Sequence, residues 1–154
     1  MRVLVQRVSR ARVLVEGAVA GEIGAGLLAF VGFAPADTDA LVQQLAAKLV
    51  GLRIFEDNAG RMNLSLEEAG GAVLCVSQFT LYGDVRRGRR PSFAGAAEPR
   101  LADELYGEFC GAIEALGIHC ERGVFGAHMM VELVNDGPVT LMLDSADLER
   151  PRRA

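Results

Sequence analysis

Histidine and cysteine are scarce in this sequence, and no spacing joins them into a metal site. Two of the 154 residues are histidine and three are cysteine, and no CxxC or HxxxH pair occurs. Closely spaced pairs of this kind are typical of zinc sites. Because Cys75, Cys110 and Cys120 lie far apart in the chain, we expect no zinc site. We also expect free thiols in a reducing compartment.

Long apolar runs are also missing. No run reaches the roughly 18 residues that a membrane-spanning helix needs, and residues 1–17 alternate instead of forming a signal-peptide core. With 51% hydrophobic and 23% charged residues, the composition is that of an ordinary globular protein. We expect a cytoplasmic protein without a membrane partner, and 154 residues suffice for one domain with a full core.

A general excess of positive charge is absent as well. The net charge of −4 and the pI near 5.2 argue against a protein that coats nucleic acid through a basic field. One short segment is nevertheless basic, since it contains Arg86, Arg87, Arg89 and Arg90. These residues form either a solvated loop or a clamp for phosphate, whose oxygens pair well with guanidinium groups. The residues alone leave both interpretations open.

Changes in apolar periodicity predict the order of the secondary-structure elements. Alternating or continuous apolar residues predict three strands in the first third of the chain, one that includes Val3, Val5, Val13 and Val15 and two over 18–23 and 27–33, and another strand over 73–82. Apolar residues at helical spacing predict one helix with a stripe from 41 to 52 and a second helix over about 98–116.

The last third of the chain predicts a hairpin. Residues 123–134 and 139–145 have the composition of two strands, and the Asn, Asp, Gly and Pro between them favour a tight turn. Residues 56–71 and 83–97 are expected to be loops. Together the elements predict one mixed α/β domain over residues 1–145, followed by a charged tail over 146–154.

Hydroxyl groups in the stretch CVSQFTLYGD, which begins at Cys75, suggest a nucleophile. In a regular strand, however, Ser77 and Thr80 would face opposite sides. A nucleophilic hydroxyl also needs an adjacent base, and no G-x-S-x-G elbow is present. We therefore interpret these hydroxyls as groups that satisfy local hydrogen bonds.

The two histidines are separate candidates for a base. Adjacent side chains diverge in an extended chain, so His119 and Cys120 are not expected to form a nucleophilic pair. We expect a partly exposed histidine beside a small apolar thiol. His128 either faces solvent or lines a site, and the residues alone do not decide between the two.

Two motifs together resemble the signatures of a known family. SQFTL at 77–81 and NDGPVT at 135–140 are similar to the paired motifs of D-aminoacyl-tRNA deacylases. The resemblance covers essentially the whole chain, through the stretches VQRVSRARVLVEG, GEIGAGLLAFVGF, RRGRRPSF and GVFGAHMMVEL. It departs from the family at His128, where an Asp is common, and in the basic tail beyond Asp144.

The resemblance implies a fold and a reaction. The fold is a single compact α/β domain in which mixed β-sheets form a barrel-like core with two main helices. The reaction is hydrolysis of the ester between a D-amino acid and the terminal ribose of tRNA, without a metal or cofactor. Glycine, which has no side chain, should also be accepted. The implied partners are the acceptor end of aminoacyl-tRNA and a second copy of the chain, with active sites at the homodimer interface.

The resemblance also implies roles for individual residues. The pocket strand is formed by Ser77, Gln78, Phe79 and Thr80, with Gln78 and Phe79 near the terminal adenosine and backbone N–H groups near Phe79 and Thr80 binding the oxyanion. Met129 is a pocket wall, and Arg86, Arg87, Arg89 and Arg90 contact tRNA phosphates.

Gly137 and Pro138 form the chiral selector in the family scheme. Their carbonyl oxygens enter the partner's pocket and collide with an L-side chain. The resemblance implies a cis Gly137-Pro138 bond, whereas the residues alone favour trans. Arg7 is expected to support this turn.

Two other functions remain as alternatives. The first is an RNA-binding module without catalysis that uses the arginine-rich segment. The second is a Ser/Thr esterase with Thr80 as its nucleophile.

Overall fold

The computed structural model describes residues 1–151; of the predicted charged tail, residues 152–154 lie outside the described part. The described chain contains the following strands and helices: β1 (Arg2–Val15), β2 (Ala18–Ile23), β3 (Gly26–Gly32), α1 (Asp39–Val50), β4 (Phe55–Glu56), β5 (Met62–Leu64), β6 (Ala72–Ser77), α2 (Pro99–Ala115), β7 (Cys120–Arg122), β8 (Met130–Asp144) and α3 (Ser145–Leu148). A short 3-10 helix, Phe79–Tyr82, follows β6. No helix of residues 1–151 is long and apolar enough to cross a membrane.

Strand β1 is hydrogen-bonded along both of its edges. On one edge its first half pairs with β3 and its second half with β2, both antiparallel. On the other edge it pairs antiparallel with β8 from Arg2 to Leu14. Strand β6 then pairs parallel to β3, and β7 pairs parallel to β6. The main sheet therefore has the order β2-β1-β3-β6-β7, with β8 on the outer edge of β1.

The sheet curls until its two ends meet. Gly21 in β2 lies so close to β7 that a Cβ atom built on it would be 2.6 Å from the carbonyl oxygen of Arg122. Only glycine permits this approach of two backbones. The expected barrel-like core is confirmed, and this contact between β2 and β7 nearly closes it.

Apolar residues form one core on each side of the central strands. Between the sheet and the two long helices, Val31 and Val73 pack with Leu49 and Phe109. Inside the curl, a second cluster contains Val8, Val13, Ile23, Leu28 and Leu74. Because β3 and β6 contribute to both clusters, they are apolar on both faces, as the continuous runs in the sequence predicted.

The two predicted long helices are confirmed. The Thr38 hydroxyl caps α1 by accepting a hydrogen bond from the N–H of Leu41 at 3.3 Å, and Pro99 opens α2, where its missing N–H costs nothing. The expected loop over 56–71 is partly wrong, because it contains β5, which pairs with β4.

The predicted strand over 73–82 is wrong in its second half. Strand β6 ends at Ser77, and the chain turns into the 3-10 helix at Phe79. This helix is closed by hydrogen bonds from the N–H of Leu81 to the Gln78 carbonyl and from the N–H of Gly83 to the Thr80 carbonyl. The predicted alternation, which set Ser77 and Thr80 on opposite faces of one strand, therefore ends at Ser77.

The predicted hairpin over 135–138 is also wrong. Both halves of β8 pair with β1 in the same direction, so the chain does not reverse. The register instead shifts, since Gln6 lies opposite Thr140 whereas Val8 lies opposite Asn135. The extra residues, 136–139, form a bulge on β8. The first of the two predicted strands also starts later than expected, at Met130.

Arg7 holds this bulge from below. Its guanidinium is buried, with the whole residue 6% exposed. Nε donates to the Asp136 carbonyl at 3.0 Å and Nη1 donates to the Ile54 carbonyl at 2.7 Å. Gly137 adopts a φ of +126°, and a Cβ atom there would lie 2.9 Å from Nη2 of Arg7. Arg7 therefore links the bulge to Ile54, which lies between α1 and β4. These contacts agree with the supporting role expected for Arg7.

Replacing this guanidinium tests its role in stability. The substitution Arg7→Met should lower the free energy of unfolding by about 2–4 kcal/mol, because the buried carbonyl of Ile54 and the partly buried carbonyl of Asp136 lose a charged donor. Chemical unfolding at a fixed protein concentration measures the loss. Arg12→Met is the matched control, since Arg12 lies on the same strand and pairs with Glu132 at the surface. Its unfolding midpoint should stay near that of the parent, and an equal loss in both variants would contradict the supporting role.

Candidate active site

An open cavity of about 600 Å³ lies at the carboxyl ends of the parallel strands β3 and β6. Its walls are residues 31–33 and 76–79 at the strand ends, residues of the segment 93–102 that leads into α2, and the loop 125–129. In sheets with parallel strands, the carboxyl edge is where ligand sites usually form. The cavity is the candidate site because the predicted residues converge on it.

Most of the predicted pocket residues line this cavity. Ser77, Gln78, Phe79 and Met129 all contribute to its wall. Thr80 is not among the lining residues, but its hydroxyl accepts a hydrogen bond from Nε2 of Gln78. An amide donor does not remove a proton from a hydroxyl, so this contact orients Thr80 without activating it.

Two adjacent backbone N–H groups are free where β6 ends, that of Phe79 in the cavity wall and that of Thr80 in the next residue of the chain. The N–H groups of Phe79 and Thr80 are the first of the 3-10 helix and have no partner in the preceding turn. Within residues 1–151 neither group donates a hydrogen bond, whereas the N–H of Gln78 donates to the Val31 carbonyl at 2.8 Å. Unpaired backbone N–H groups are donors that can stabilise an oxyanion.

An aromatic pair stands at the mouth of the cavity. The rings of Phe79 and Phe93 meet edge to face, with 5.0 Å between their centroids and 73° between their planes. Both are unusually exposed for phenylalanine, at 54% and 37%. Exposed aromatic rings are platforms on which nucleic-acid bases stack. The sequence identified Phe79, but Phe93 lies in a predicted loop and gave no separate signal.

The cavity contains little that could act as a base. Its lining, as far as the described chain shows it, includes no carboxylate and one histidine, His128. This settles the open question about His128, which is exposed and also lines the site. His119 lies elsewhere, exposed and 2.8 Å from Oε1 of Glu121, and Cys120 beside it is buried, as expected. The geometry therefore offers backbone donors but no activated hydroxyl.

The far end of the 3-10 helix is fixed by Arg2. Its Nη1 donates to the Leu81 carbonyl at 2.8 Å, and its guanidinium lies 4.7 Å from the centre of the Tyr82 ring. Burial, followed by the carboxylates of Asp37 and Asp144, raises the pKa of Tyr82 to about 12. Tyr82 is therefore a neutral hydroxyl at physiological pH and supplies no base to the site.

The arginine-rich segment divides into two parts. Arg86 is bound by Asp84 through two contacts, Nε to Oδ1 at 2.9 Å and Nη2 to Oδ2 at 2.6 Å. Hydrogen bonds from the Arg86 side chain and from its backbone N–H lower the pKa of Asp84. Arg87, Arg89 and Arg90 are exposed and form no ion pair within residues 1–151. Three guanidinium groups are therefore available to a ligand, and the fourth stabilises the loop.

The Gly137-Pro138 bond is cis. The form that the resemblance implied is therefore present, and the trans form that the residues alone favoured is wrong. Both residues are exposed on the bulge of β8. Neither is among the described residues that line the cavity of the same chain, so the bulge presents this dipeptide to the exterior.

Strand β8 presents an unpaired edge with apolar side chains. In the described chain it pairs with β1 alone, so its outer backbone groups have no ladder partner. Its exposed residues include Met130 at 61%, Met142 at 50%, Val134 and Leu141. A long edge strand with exposed apolar residues is normally covered in the assembled protein.

Comparisons with known sequences point to one family. Residues 4–144 match the family model described as D-Tyr-tRNA(Tyr) deacylase. A D-aminoacyl-tRNA deacylase of Desulfatibacillum aliphaticivorans is 61% identical over 145 residues, which are 94% of this chain and 99% of that protein. One of Deinococcus radiodurans is 58% identical over 144 residues, again 94% of this chain and 99% of the relative.

Solved structures share the fold. A protein named c-Myc DNA Unwinding Element Binding Protein has a TM-score of 0.88 at 36% identity, over 94% of this chain and 98% of its own. A probable eukaryotic D-amino acid tRNA deacylase has a TM-score of 0.82 at 21% identity, over 92% and 97%. These likenesses confirm the predicted single α/β domain with a barrel-like sheet.

Proposed function

Because the chain belongs to the D-Tyr-tRNA(Tyr) deacylase family, we propose that it hydrolyses the ester bond of D-aminoacyl-tRNA. The products are a free D-amino acid and tRNA, so the enzyme serves quality control in translation. The observation that carries this function is the 61% identity to a D-aminoacyl-tRNA deacylase over 94% of the chain. A binding module without catalysis does not account for that match. Since the substrate is an aminoacyl-tRNA, we also propose the cytoplasm as the place of the reaction.

The reaction needs little help from side chains. The aminoacyl ester is already activated, so a water molecule that is held in place can attack its carbonyl carbon. The N–H groups of Phe79 and Thr80 bind the oxygen that becomes negative in the tetrahedral intermediate. The ester bond then breaks, and the ribose oxygen leaves as a hydroxyl with the proton that the water gave up. The neighbouring 2′-hydroxyl of the ribose is in a position to carry this proton, which makes the catalysis partly substrate-assisted.

The terminal adenosine binds at the mouth of the cavity. Phe79 and Phe93 offer exposed ring faces and edges for the adenine. Gln78 lines the same wall, and its amide both donates and accepts hydrogen bonds. Met129 closes the opposite wall from the loop 125–129. The ester of the bound nucleotide then lies beside the free N–H groups.

Chirality is read by the Gly137-Pro138 dipeptide of a second copy of the chain. The dipeptide is exposed and does not line the cavity of its own chain, and it stands on a strand with an exposed apolar edge. A homodimer formed through β8 would cover that edge and bring each bulge to the partner's cavity. The carbonyl oxygens of Gly137 and Pro138, on a bulge that Arg7 holds through the Asp136 carbonyl, would then collide with an L-side chain, whereas a D-side chain would point to solvent.

Such a selector excludes the L-enantiomer by steric clash and does not recognise the chemical nature of the amino-acid side chain. No pocket in this scheme binds the amino-acid side chain, so many D-amino acids should be accepted. Glycine, which lacks a side chain, should be accepted as well.

The body of the tRNA contacts the arginine-rich loop. Arg87, Arg89 and Arg90 are exposed and have no ion-pair partner in the described chain, and they suit phosphate oxygens. Arg86 stabilises the loop through Asp84. The predicted phosphate clamp thus rests on three of the four arginines.

Paired substrates test the reaction and its selectivity. The protein should release D-tyrosine from D-Tyr-tRNA and glycine from Gly-tRNA, while L-Tyr-tRNA stays intact over the same time. Release of labelled amino acid measures all three rates. Equal turnover of the two tyrosine enantiomers would refute the selector, and no turnover of D-Tyr-tRNA would refute the proposed activity.

Two substitutions at one position separate backbone catalysis from a nucleophilic hydroxyl. Thr80→Ala keeps the N–H and should retain activity within about tenfold. Thr80→Pro removes the N–H in the first helical turn, where proline is tolerated, and should lower kcat by about 10²–10³-fold. Thermal unfolding of both variants is the control for folding. Loss of activity in Thr80→Ala together with an acyl-enzyme in mass spectra would establish the esterase alternative.

Mixed dimers test whether the selector acts on the partner. Gly137→Ala should lower the ratio of D- to L-Tyr-tRNA hydrolysis by about tenfold or more, because an L-residue is strained at this φ and its Cβ meets Arg7 and Val139. An excess of Thr80→Pro chains, whose own sites are inactive, should restore the ratio, since each active Gly137→Ala site then faces an intact bulge. An unchanged ratio in the mixture, with dimer exchange verified by mass, would show that the selector acts within one chain.

A further inference from the structure

Three cysteines that are far apart in the sequence meet in the core. Cys75 lies on β6, Cys110 on α2 and Cys120 on β7. All three are buried and carry free thiols, and their sulfur atoms all lie within 4.8 Å of one another. The Sγ atoms of Cys75 and Cys120 are 3.8 Å apart. The expectation of no metal site rested on sequence spacing, which does not show that the fold brings these three residues together.

The size of this triangle matches a coordination shell. The centre of an equilateral triangle with sides of 3.8 to 4.8 Å lies about 2.2–2.8 Å from each corner. Bonds from zinc to thiolate sulfur are about 2.3 Å long, so an ion at the centre needs only small movements of the side chains. No histidine or carboxylate of residues 1–151 joins the three sulfur atoms.

We propose that Cys75, Cys110 and Cys120 bind one thiophilic metal ion through three thiolates, with Cu(I) as the expected occupant. Soft thiolate ligands select Cu(I) and Zn(II). Zn(II) in proteins almost always takes four ligands, whereas the cluster offers three, which suit a three-coordinate Cu(I). Each thiol that binds the ion releases its proton to solvent.

The ion would join three elements beneath the candidate active site. The carbonyl of Cys75 accepts hydrogen bonds from Oη of Tyr106 at 2.8 Å and from the N–H of Gly123 at 2.9 Å. Ser77, two residues after Cys75, lines the cavity, and Gly123 leads into its loop 125–129. Binding would therefore stabilise the end of β6 and the start of the loop 125–129, which both contribute to the cavity wall.

Anaerobic titration of the reduced protein with Cu(I), in competition with a chromogenic chelator, tests the proposal. The chain has three cysteines and no tryptophan, so near-ultraviolet thiolate-to-metal absorption reports on this cluster against a low background. We expect one ion per folded chain, protons released on binding, and protection of all three thiols from alkylation. At an ion concentration 100 times Kd, Tm should rise by about 5–10 °C. Zn(II) in a parallel titration should bind more weakly.

Single variants and a neighbouring control make the test specific. Cys110→Ser and Cys120→Ser should each lower the affinity for Cu(I) by at least about tenfold. Circular dichroism of the metal-free variants checks that each one is folded. His119→Ala is the control, because His119 adjoins Cys120 but is exposed, and it should bind as the parent does. The proposal is overturned if the folded chain binds neither ion, or if Zn(II) displaces Cu(I). It is also overturned if Cys110→Ser and Cys120→Ser bind Cu(I) as tightly as the parent.

Discussion

The hydrogen bonding of β1 along both edges is the constraint on which the rest of the structure depends. With β3 and β2 on one side, the strand fixes the curl of the sheet, and with β8 on the other it fixes where the last strand runs. Between the pairs Gln6–Thr140 and Val8–Asn135, β1 has one residue and β8 has the residues 136–139, which therefore form a bulge. Arg7, on β1 itself, fills the space behind that bulge. The same pairing leaves the outer edge of β8 open, so the exposed Gly137-Pro138 bulge and the exposed apolar edge have a common origin.

The candidate site follows from a second feature, the abrupt end of β6. A strand that continued would have used the N–H groups of Phe79 and Thr80 in a ladder. The turn into a 3-10 helix leaves both unpaired beside the cavity, while Arg2 holds the other end of that helix. The proposed catalysis by fixed backbone dipoles requires this rigidity, since donors that had to reorganise would lose their advantage. The side chains around them shape the cavity.

Local patterns in the sequence predicted the parts of the fold that depend on local physics. The apolar stripe from Leu41 and the continuous run in β3 were sufficient for α1 and for a strand buried on both faces. The errors lie where tertiary contacts decide. NDGP favours a turn in isolation, yet pairing with β1 on both sides makes it a bulge. The resemblance of two motifs pointed to the stretch 77–80, of which Ser77, Gln78 and Phe79 line the cavity, whereas periodicity alone assigned Thr80 to the wrong element. Phe93 and the cysteine cluster were missed because only the folded chain brings these residues to their neighbours.

A cavity whose donors are main-chain N–H groups has a consequence for how such enzymes are recognised. Methods that search structures for constellations of catalytic side chains look for a base, a nucleophile and a group that orients them. At this site such a search would find a histidine, a serine and two phenylalanines without the distances of any known triad. Under the proposed mechanism, the feature that marks activity is therefore the path of the backbone at Phe79 and Thr80, which leaves their N–H groups unpaired.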